Sequence, residues 1–218
     1  MKKKWLCALA LAAALNFSMA EAVYTPPKVP EDIYQWVQSS ERMNYFFNKK
    51  EMCYGVDSKG HVDLERLIVP VIKTYDHVQI EDVRMKRSWR MESTDDLGDL
   101  AGEANYLTFN IPRGVVTVEA LDLIDSHFWT IEHSEPKKEV VIADLTEKSR
   151  DGIFYRAILA YEKDHRTEIL SHTKGTLTEE EQERFEKEEK RHAKELKKRK
   201  EKEEREKREK EQQKQEAE

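Results

Sequence analysis

The clearest pattern in the chain is an alternation of apolar and polar positions on either side of a short turn. Residues 106–111 alternate, Pro112-Arg113-Gly114 interrupts them, and residues 115–118 resume the alternation. This pattern predicts a β-hairpin with a short loop that contains glycine. Other short runs rich in apolar residues predict further strands at 45–47, 52–56, 64–75, 128–131 and 140–142.

A broad apolar stripe later in the chain predicts a helix. It recurs at helical spacing in Ile153, Phe154, Ala157, Ile158 and Tyr161. Asp151 is the expected cap of this helix, and Gly152 is expected to break the chain before it. Strands followed by a packing helix indicate an α+β fold, here an antiparallel β-rich domain with a packing helix, followed by a long charged single helix.

Three segments are harder to assign. Residues 30–39 predict a short helix, because Ile33, Trp36 and Val37 recur at i, i+3 and i+4. Residues 83–91 alternate and predict a half-buried strand, although a helix that starts at Asp76 also gathers the apolar positions. Pro70 cannot donate a ladder hydrogen bond, so its strand is expected at a sheet edge or a bulge.

The last 41 residues have a different composition, because 31 of them are charged. Thr178 and Glu181 form a capping box, and many Glu–Lys and Glu–Arg pairs follow at i,i+4 spacing. Apolar residues are too few for a coiled-coil seam. The pattern favours a solvated single helix, with a disordered polyampholyte as the alternative.

The start of the chain is typical of a secretory signal. Lys2, Lys3 and Lys4 precede an uncharged, mostly apolar run at 5–15, and small residues flank the cleavage positions after Ala20 and Ala22. The predicted organisation is a signal peptide at 1–22, an extended leader at 23–30, an α+β domain at 31–175 and a charged helical or disordered tail at 176–218. The protein is expected to be exported, periplasmic or extracellular, with no transmembrane span after cleavage.

The charge balance argues against one class of partner. The net charge is −6, and removal of the three N-terminal lysines makes it more negative. A nucleic-acid-binding surface needs a basic face for the phosphates, so no nucleic acid partner is expected.

Two segments carry a resemblance. Tyr45-Phe46-Phe47-Asn48-Lys49-Lys50, followed by a strand that ends in Lys73-Thr74-Tyr75, resembles small exported bacterial proteins, loosely those of the surface-adhesin protein E type. The resemblance covers residues 43–163. It implies an exported α+β domain that binds a partner at the cell envelope, and it assigns no catalytic residue.

Three segments contain candidate metal ligands. Residues 57–62 begin like a calcium loop, but Lys59 stands at a ligand position and Val62 stands where the loop requires glycine, so no calcium site is expected. A loop with Asp95, Asp96 and Asp99 suits either a hard cation or plain solvent. The histidines 127 and 133 would face one side of a continuous strand and, with Asp125, suit either a metal site or an ordinary surface.

Two other features have a functional and a structural interpretation. Cys53, the single cysteine of the mature chain, is buried and inert, joined to another chain, or paired with a histidine as a nucleophile. The basic residues around Trp89 suit either anionic glycan and lipid head groups or the solvated face of an edge strand. They are Arg84, Lys86, Arg87 and Arg90.

These observations assign no catalytic, cofactor-binding or metal-binding residue and no cofactor. The sequence favours an exported extracytoplasmic binding or structural protein of the cell envelope, not an enzyme, with an envelope or surface partner. The alternative is an exported enzyme or metal-dependent protein whose site the sequence does not display.

Overall fold

A computed structural model describes residues 26–216, so the predicted signal peptide at 1–22 lies outside the described residues. The described chain forms an antiparallel sheet and four α-helices, which confirms the α+β class and the long C-terminal helix. The strands are β1 (Tyr34–Ser39), β2 (Met43–Asn48), β3 (Cys53–Val56), β4 (Val62–Tyr75), β5 (Leu100–Asn110), β6 (Val115–Asp125), β7 (Thr130–Ser134) and β8 (Lys138–Val141). The helices are α1 (His77–Trp89), α2 (Arg150–Asp164), α3 (Arg166–His172) and α4 (Glu179–Glu216).

The sheet is a meander in the order β1-β2-β4-β5-β6-β7. The two remaining strands pair with halves of longer ones: β3 lies beside the first half of β4, and β8 lies beside the first half of β6. The predicted hairpin is confirmed as β5 and β6, with Asn110 opposite Val115 and Gly114 at a φ of 60°. A positive φ is the conformation that glycine adopts without strain, which explains the turn.

The main core lies between one face of the sheet and helices α2 and α3. Aromatic rings hold the helix to the strands. Phe154 packs 5.4 Å from the Tyr45 ring, and Tyr155 meets Phe109 edge-on at 5.9 Å. A smaller cluster under α1 contains Tyr75, Ile80, Leu97 and Leu100 at the other end of the sheet.

The predicted helix at 30–39 is wrong, because residues 34–39 form strand β1. The strand contains a β-bulge. Trp36 pairs with Phe46 and Gln38 pairs with Tyr45, so Val37 is an extra residue that packs against the core. Ile33 precedes the strand and Trp36 is 52% exposed, so the three apolar positions do not form one buried helical face.

The predicted strand at 83–91 is also wrong, because this segment belongs to helix α1, the alternative that starts at Asp76. The Asp76 side chain accepts a hydrogen bond from the Gln79 backbone N–H over 2.7 Å and so caps the helix. Ile80 and Val83, three positions apart, supply its inward face. Met85 and Trp89, which the alternation placed in the core, are exposed.

Pro70 lies in an interior strand and not at a sheet edge. On one side Pro70 is opposite Tyr106 of β5. On the other side, β2 pairs with residues 71–75 of β4 and β3 pairs with residues at or before Ile68, so Pro70 falls between the two neighbours. An interruption in the pairing is where a residue without an N–H is tolerated.

Helices α2 and α4 each begin at a capping residue. Ser149, not Asp151, caps α2, since its hydroxyl accepts from the Gly152 N–H over 3.3 Å, and Gly152 belongs to the first turn. The capping box before α4 is confirmed. Glu181 N–H donates to the Thr178 hydroxyl over 3.3 Å, and Thr178 N–H donates to the Glu181 carboxylate over 3.1 Å.

The first turns of α4 are not solvated on all sides, in contrast to the sequence expectation. Phe185 is only 7% exposed and lies under the Arg166 guanidinium, 5.2 Å from it. His192 contacts Asp164 at 3.1 Å. Helix α4 therefore packs on α2 and α3 before it continues as a charged helix.

Candidate functional site

A polar cluster lies on the helix-covered face of the sheet, where β2, β4 and β5 run side by side. Tyr45, Lys73 and Glu103 are direct cross-strand neighbours. Lys73 Nζ donates to Glu103 Oε1 over 2.8 Å, and the Tyr75 hydroxyl donates to Oε2. Asn105 Nδ2 also donates to Glu103 Oε1, over 3.0 Å. Glu103 is therefore the acceptor at the centre of the cluster.

The surroundings of this cluster keep its groups in their ordinary protonation states. Burial opposes ionisation of Glu103, but the Lys73 charge and the donated hydrogen bonds hold its pKa below the usual value. Burial alone would lower the pKa of Lys73, and the adjacent Glu103 charge raises it above the usual value instead. Burial, and then the Glu103 charge, raises the pKa of Tyr75. Each shift favours a lysine ammonium, a carboxylate and a neutral phenol at neutral pH.

These protonation states limit the chemistry of the cluster. A base or nucleophile needs a pKa close to the working pH, and the Lys73 amine and Tyr75 phenol are shifted away from it. Tyr155, which packs nearby, behaves in the same way, since burial and then Asp151 raise its pKa to about 12. The cluster is a compensated ion pair that spans two strands.

A second polar cluster joins the domain to α4. The Tyr54 hydroxyl donates to Glu162 Oε1 over 2.6 Å, and Arg166 Nε lies 3.3 Å from the same oxygen. Arg166 also binds the Glu188 carboxylate of α4. Burial, opposed by Tyr54 and Arg166, raises the pKa of Glu162. Polar contacts thus link Tyr54 of β3 to Glu162 of α2, and Arg166 of α3 to Glu188 of α4.

Cys53 lies half-buried in β3, in the strand predicted at 52–56. Burial, and then the charge of Glu51, raises the pKa of its thiol. The thiolate is the reactive form of cysteine, so a raised pKa disfavours a nucleophilic role.

The two histidines do not share one continuous strand. His127 lies in the loop between β6 and β7, whereas His133 lies in β7 with Nδ1 2.6 Å from Asp122 Oδ1. That hydrogen bond raises the pKa of His133. The sequence predicted that the two histidines share one surface, whereas in the structure they have different surroundings.

His127 instead meets two aspartates at the ends of neighbouring strands. Donor atoms of Asp99, Asp125 and His127 lie within 4.8 Å of one another, so among residues 26–216 these three could share a cation. The carboxylate oxygens of Asp99 and Asp125 already accept hydrogen bonds from the protein. Asp125 Oδ1 accepts from the backbone N–H groups of His127 and Trp129, each over 2.8 Å, and Asp99 accepts from Ser126. Asp96 binds Arg87 at 3.0 Å, away from this group.

The segment that begins like a calcium loop forms the turn between β3 and β4. Asp57 Oδ1 accepts from the backbone N–H of Lys59 over 2.8 Å and of His61 over 2.9 Å. Gly60 has a φ of 85°, as a turn glycine allows. The Asp57 carboxylate therefore organises the backbone of the turn.

The basic residues around Trp89 divide into two pairs. Arg84 binds the carbonyl oxygens of Leu97 and Gly98, and Arg87, whose side chain is 11% exposed, contacts Asp96, Glu92 and Glu132. These two arginines hold α1 against the loop and strand beside it. Lys86 and Arg90 point outward.

The outward side of α1 carries exposed apolar residues. We call Val78, Met85, Trp89 and Met91 the α1 strip. The first three recur at i, i+7 and i+11 and so lie along one helix face, and Met91 follows the end of the helix. The alternating pattern of this segment assigned Met85, Trp89 and Met91 to a core-facing side, so the sequence missed the surface they form.

The sequence also missed the partner of Lys73. Glu103 was not assigned to any site, because nothing near it in the chain indicates a buried charge. The available signal was indirect. Lys73 and Tyr75 are two apart on the mostly apolar second half of β4, so both point to one face, and a buried ammonium needs an acceptor there.

No helix among residues 26–216 combines the length and the apolar character needed to cross a membrane. Comparison with known proteins adds no relative, since no protein-family model matches this chain and no curated protein is similar to it.

Proposed function

We propose that the chain is an exported binding protein of the cell envelope without catalytic activity. The observation that carries this proposal is the α1 strip. Its exposed fractions are 39% for Val78, 46% for Met85, 76% for Trp89 and 97% for Met91. A contiguous group of exposed apolar side chains is more typical of an interaction surface than isolated ones are.

The polar clusters support a binding role over a catalytic one. Lys73 and Glu103 neutralise each other, and Tyr54, Glu162 and Arg166 bond to one another and to α4. The protonation states of Lys73, Tyr75 and Glu103 are those of structural groups, as argued above. The sheet with α2 and α3 forms the rigid support, and α1 presents the strip at one end of it.

The secretory pattern at 1–22 supports the location, and helix α4 supports a spacer role. The described contacts that hold α4 to the domain involve its first half, through Phe185, Glu188 and His192. A helix of this length extends about 57 Å at 1.5 Å per residue. The second half can therefore set a distance between the domain and a surface.

A photo-crosslinking amino acid at position 89 of the full-length chain tests the proposal in the cells that express it. The control carries the same amino acid at the exposed Glu139 of β8. We expect envelope-fraction crosslinks from position 89 and few from position 139. A protein that stays intact in a soluble pool, with no crosslinked product from position 89, would overturn the proposal.

A further inference from the structure

Helix α4 has a side that faces the domain and a side that faces solvent. Phe185, Glu188 and His192 recur at i, i+3 and i+7 and contact the domain. The outward side carries basic residues at i, i+4, i+7, i+11, i+15 and i+18, all of them exposed. We call this set the basic stripe: Lys187, Arg191, Lys194, Lys198, Lys202 and Arg205. The six positions lie within about 80° of arc and along about 27 Å of the helix.

The stability of the helix does not explain the basic stripe. Like charges at i,i+3 and i,i+4 destabilise a helix, whereas Glu–Lys pairs at these spacings stabilise it. Lys194 shows the conflict most clearly, because the residues three and four positions away on either side are all basic: Lys190, Arg191, Lys197 and Lys198. A helix that needed only solubility would gain more from mixed charges on this side. The stripe therefore indicates a role beyond helix formation.

Docking on the domain engages the carboxylates of α4 that border the stripe. Glu188 binds Arg166 of α3, and Glu195 lies 3.4 Å from Lys163 of α2. These carboxylates point toward cations of the domain, so the docked helix has its acidic residues inward and its basic residues outward. The fold thus separates the two signs of charge across α4.

The ion pairs within α4 leave a positive surplus on the outward side. Glu186 contacts Lys190 at 3.8 Å, and Glu201 contacts Lys197 at 4.0 Å, so these carboxylates also pair with cations outside the stripe. Among residues 26–216, four members of the stripe form no ion pair within 4.0 Å, namely Lys187, Arg191, Lys194 and Lys198. Their charges are available to an anionic partner.

We propose that the basic stripe binds an extended anionic polysaccharide of the cell envelope. The ammonium and guanidinium groups of the stripe pair with phosphates or carboxylates that recur along the polymer. A chain that lies along the helix meets a basic residue about every 5.4 Å, which is one helical turn. A line of cations at regular spacing is complementary to a linear polyanion.

The shape of the stripe favours a polymer chain over a flat membrane surface. Glu188 and Glu195 border it on one side and Glu201 borders it on the other, so a flat anionic surface would also face these carboxylates. The stripe contains no apolar side chain that could enter a bilayer, unlike the interfacial helices that insert one face. A single polymer chain contacts the narrow line of cations alone.

The composition of α4 also disfavours a single-stranded nucleic acid. Proteins that bind such strands combine basic residues with aromatic side chains on which the bases stack. No Phe, Tyr or Trp follows Phe185 in the sequence. The inference rests on the proposed function for its location at the envelope, and it names a partner for α4.

Binding of the full mature chain to fluorescently labelled polymers tests the inference. The probes are poly(glycerol phosphate), polygalacturonate and neutral dextran, and fluorescence anisotropy measures the affinity. We expect binding to at least one anionic polymer, none to dextran, and weaker binding as salt rises. The anionic polymer that binds more tightly identifies phosphate or carboxylate as the recognised group.

Two double variants of the same turn locate the binding charges. Lys194→Gln/Lys198→Gln should bind about tenfold or more weakly at low salt, because it removes two central cations of the stripe. Arg199→Gln/Lys200→Gln is the matched control, since it removes the same charge outside the stripe, and its affinity should stay within about threefold. Glutamine and lysine have similar helix propensities, so circular dichroism should show equal helix content.

No binding to either anionic polymer, or equal losses in the two double variants, would overturn the inference. Binding confined to anionic lipid vesicles or to oligo(dT), measured beside the polymers, would overturn it as well. The two proposals fail separately. If position 89 crosslinks an envelope protein while both polymers remain unbound, the envelope-binding function stands and the polysaccharide partner is excluded.

Discussion

Lys73 Nζ lies 2.8 Å from Glu103 Oε1, across the neighbouring strands β4 and β5. The two residues are in direct register, and both side chains are mostly buried, at 19% and 15% exposure. The pair places opposite charges on a face of the sheet that is mostly apolar. Its geometry shows how the fold accommodates the polar residues of the strand that ends in Lys73-Thr74-Tyr75.

Loss of the Glu103 charge should destabilise the domain. Glu103→Gln leaves the Lys73 ammonium buried without a counterion, and the free energy of unfolding should fall by about 3 kcal/mol in urea denaturation. The control is Glu186→Gln, which breaks the exposed pair with Lys190 on α4. The control should cost less than about 0.5 kcal/mol. Equal effects of the two variants would contradict a special role for the buried pair.

The same pair predicts the acid sensitivity of the fold. The pKa of Glu103 is lower in the folded chain than in the unfolded chain. Its contribution is therefore fully present above the unfolded value, about 4.3, and is lost as the pH falls through the lower folded value. Urea unfolding between pH 6 and pH 3 should show a steeper loss of stability in the unaltered chain than in Glu103→Gln.

Met91→Gly should stabilise the isolated domain. Met91 has a φ of 58°, and glycine relieves the strain of this left-handed backbone, so the free energy of unfolding should rise by about 1 kcal/mol. Met91→Ala keeps the Cβ and hence the strain, so it should give no such gain. Thermal unfolding of the unaltered chain, Met91→Gly and Met91→Ala measures these differences. A Met91→Gly protein that is no more stable than Met91→Ala would contradict the argument from backbone strain.

Gly102 lies where two strands approach closely. A Cβ at this position would lie 2.3 Å from the Lys73 carbonyl oxygen. Gly102→Ala should therefore push β4 and β5 apart and lower the free energy of unfolding by about 1–3 kcal/mol. Gly98→Ala is the control, since that residue has helical torsions and open space around it. The control should be neutral or slightly stabilising.

The contact between Phe185 and Arg166 should hold the first turns of α4 against the domain. Phe185→Ala removes the buried ring, and hydrogen exchange of residues 181–195 should become faster while β4 and β5 stay protected. Phe185→Leu keeps an apolar side chain and should retain most of the protection. Unchanged exchange in Phe185→Ala would show that the ion pairs alone hold the helix.

Local patterns along the chain determined several elements. The alternation around Pro112-Arg113-Gly114 was sufficient for the β5–β6 hairpin, and the stripe from Ile153 to Tyr161 was sufficient for α2. Thr178 and Glu181 marked the start of α4. Each of these signals depends on residues a few positions apart. Hydrogen bonds and packing over that range depend on the local order of residues, so the sequence alone predicts them.

Only the tertiary structure decided the remaining features. The alternation of residues 83–91 favoured a strand over the helix that starts at Asp76, and α1 forms because Ile80 and Val83 pack against Leu97 and Leu100 at the end of the sheet. The bulge at Val37 depends on pairing with β2. Lys73 and Glu103 are 30 residues apart, and Arg166 and Glu188 join separate helices. Such contacts depend on strand register and helix docking, which the whole core fixes at once, so no local pattern of residues specifies them.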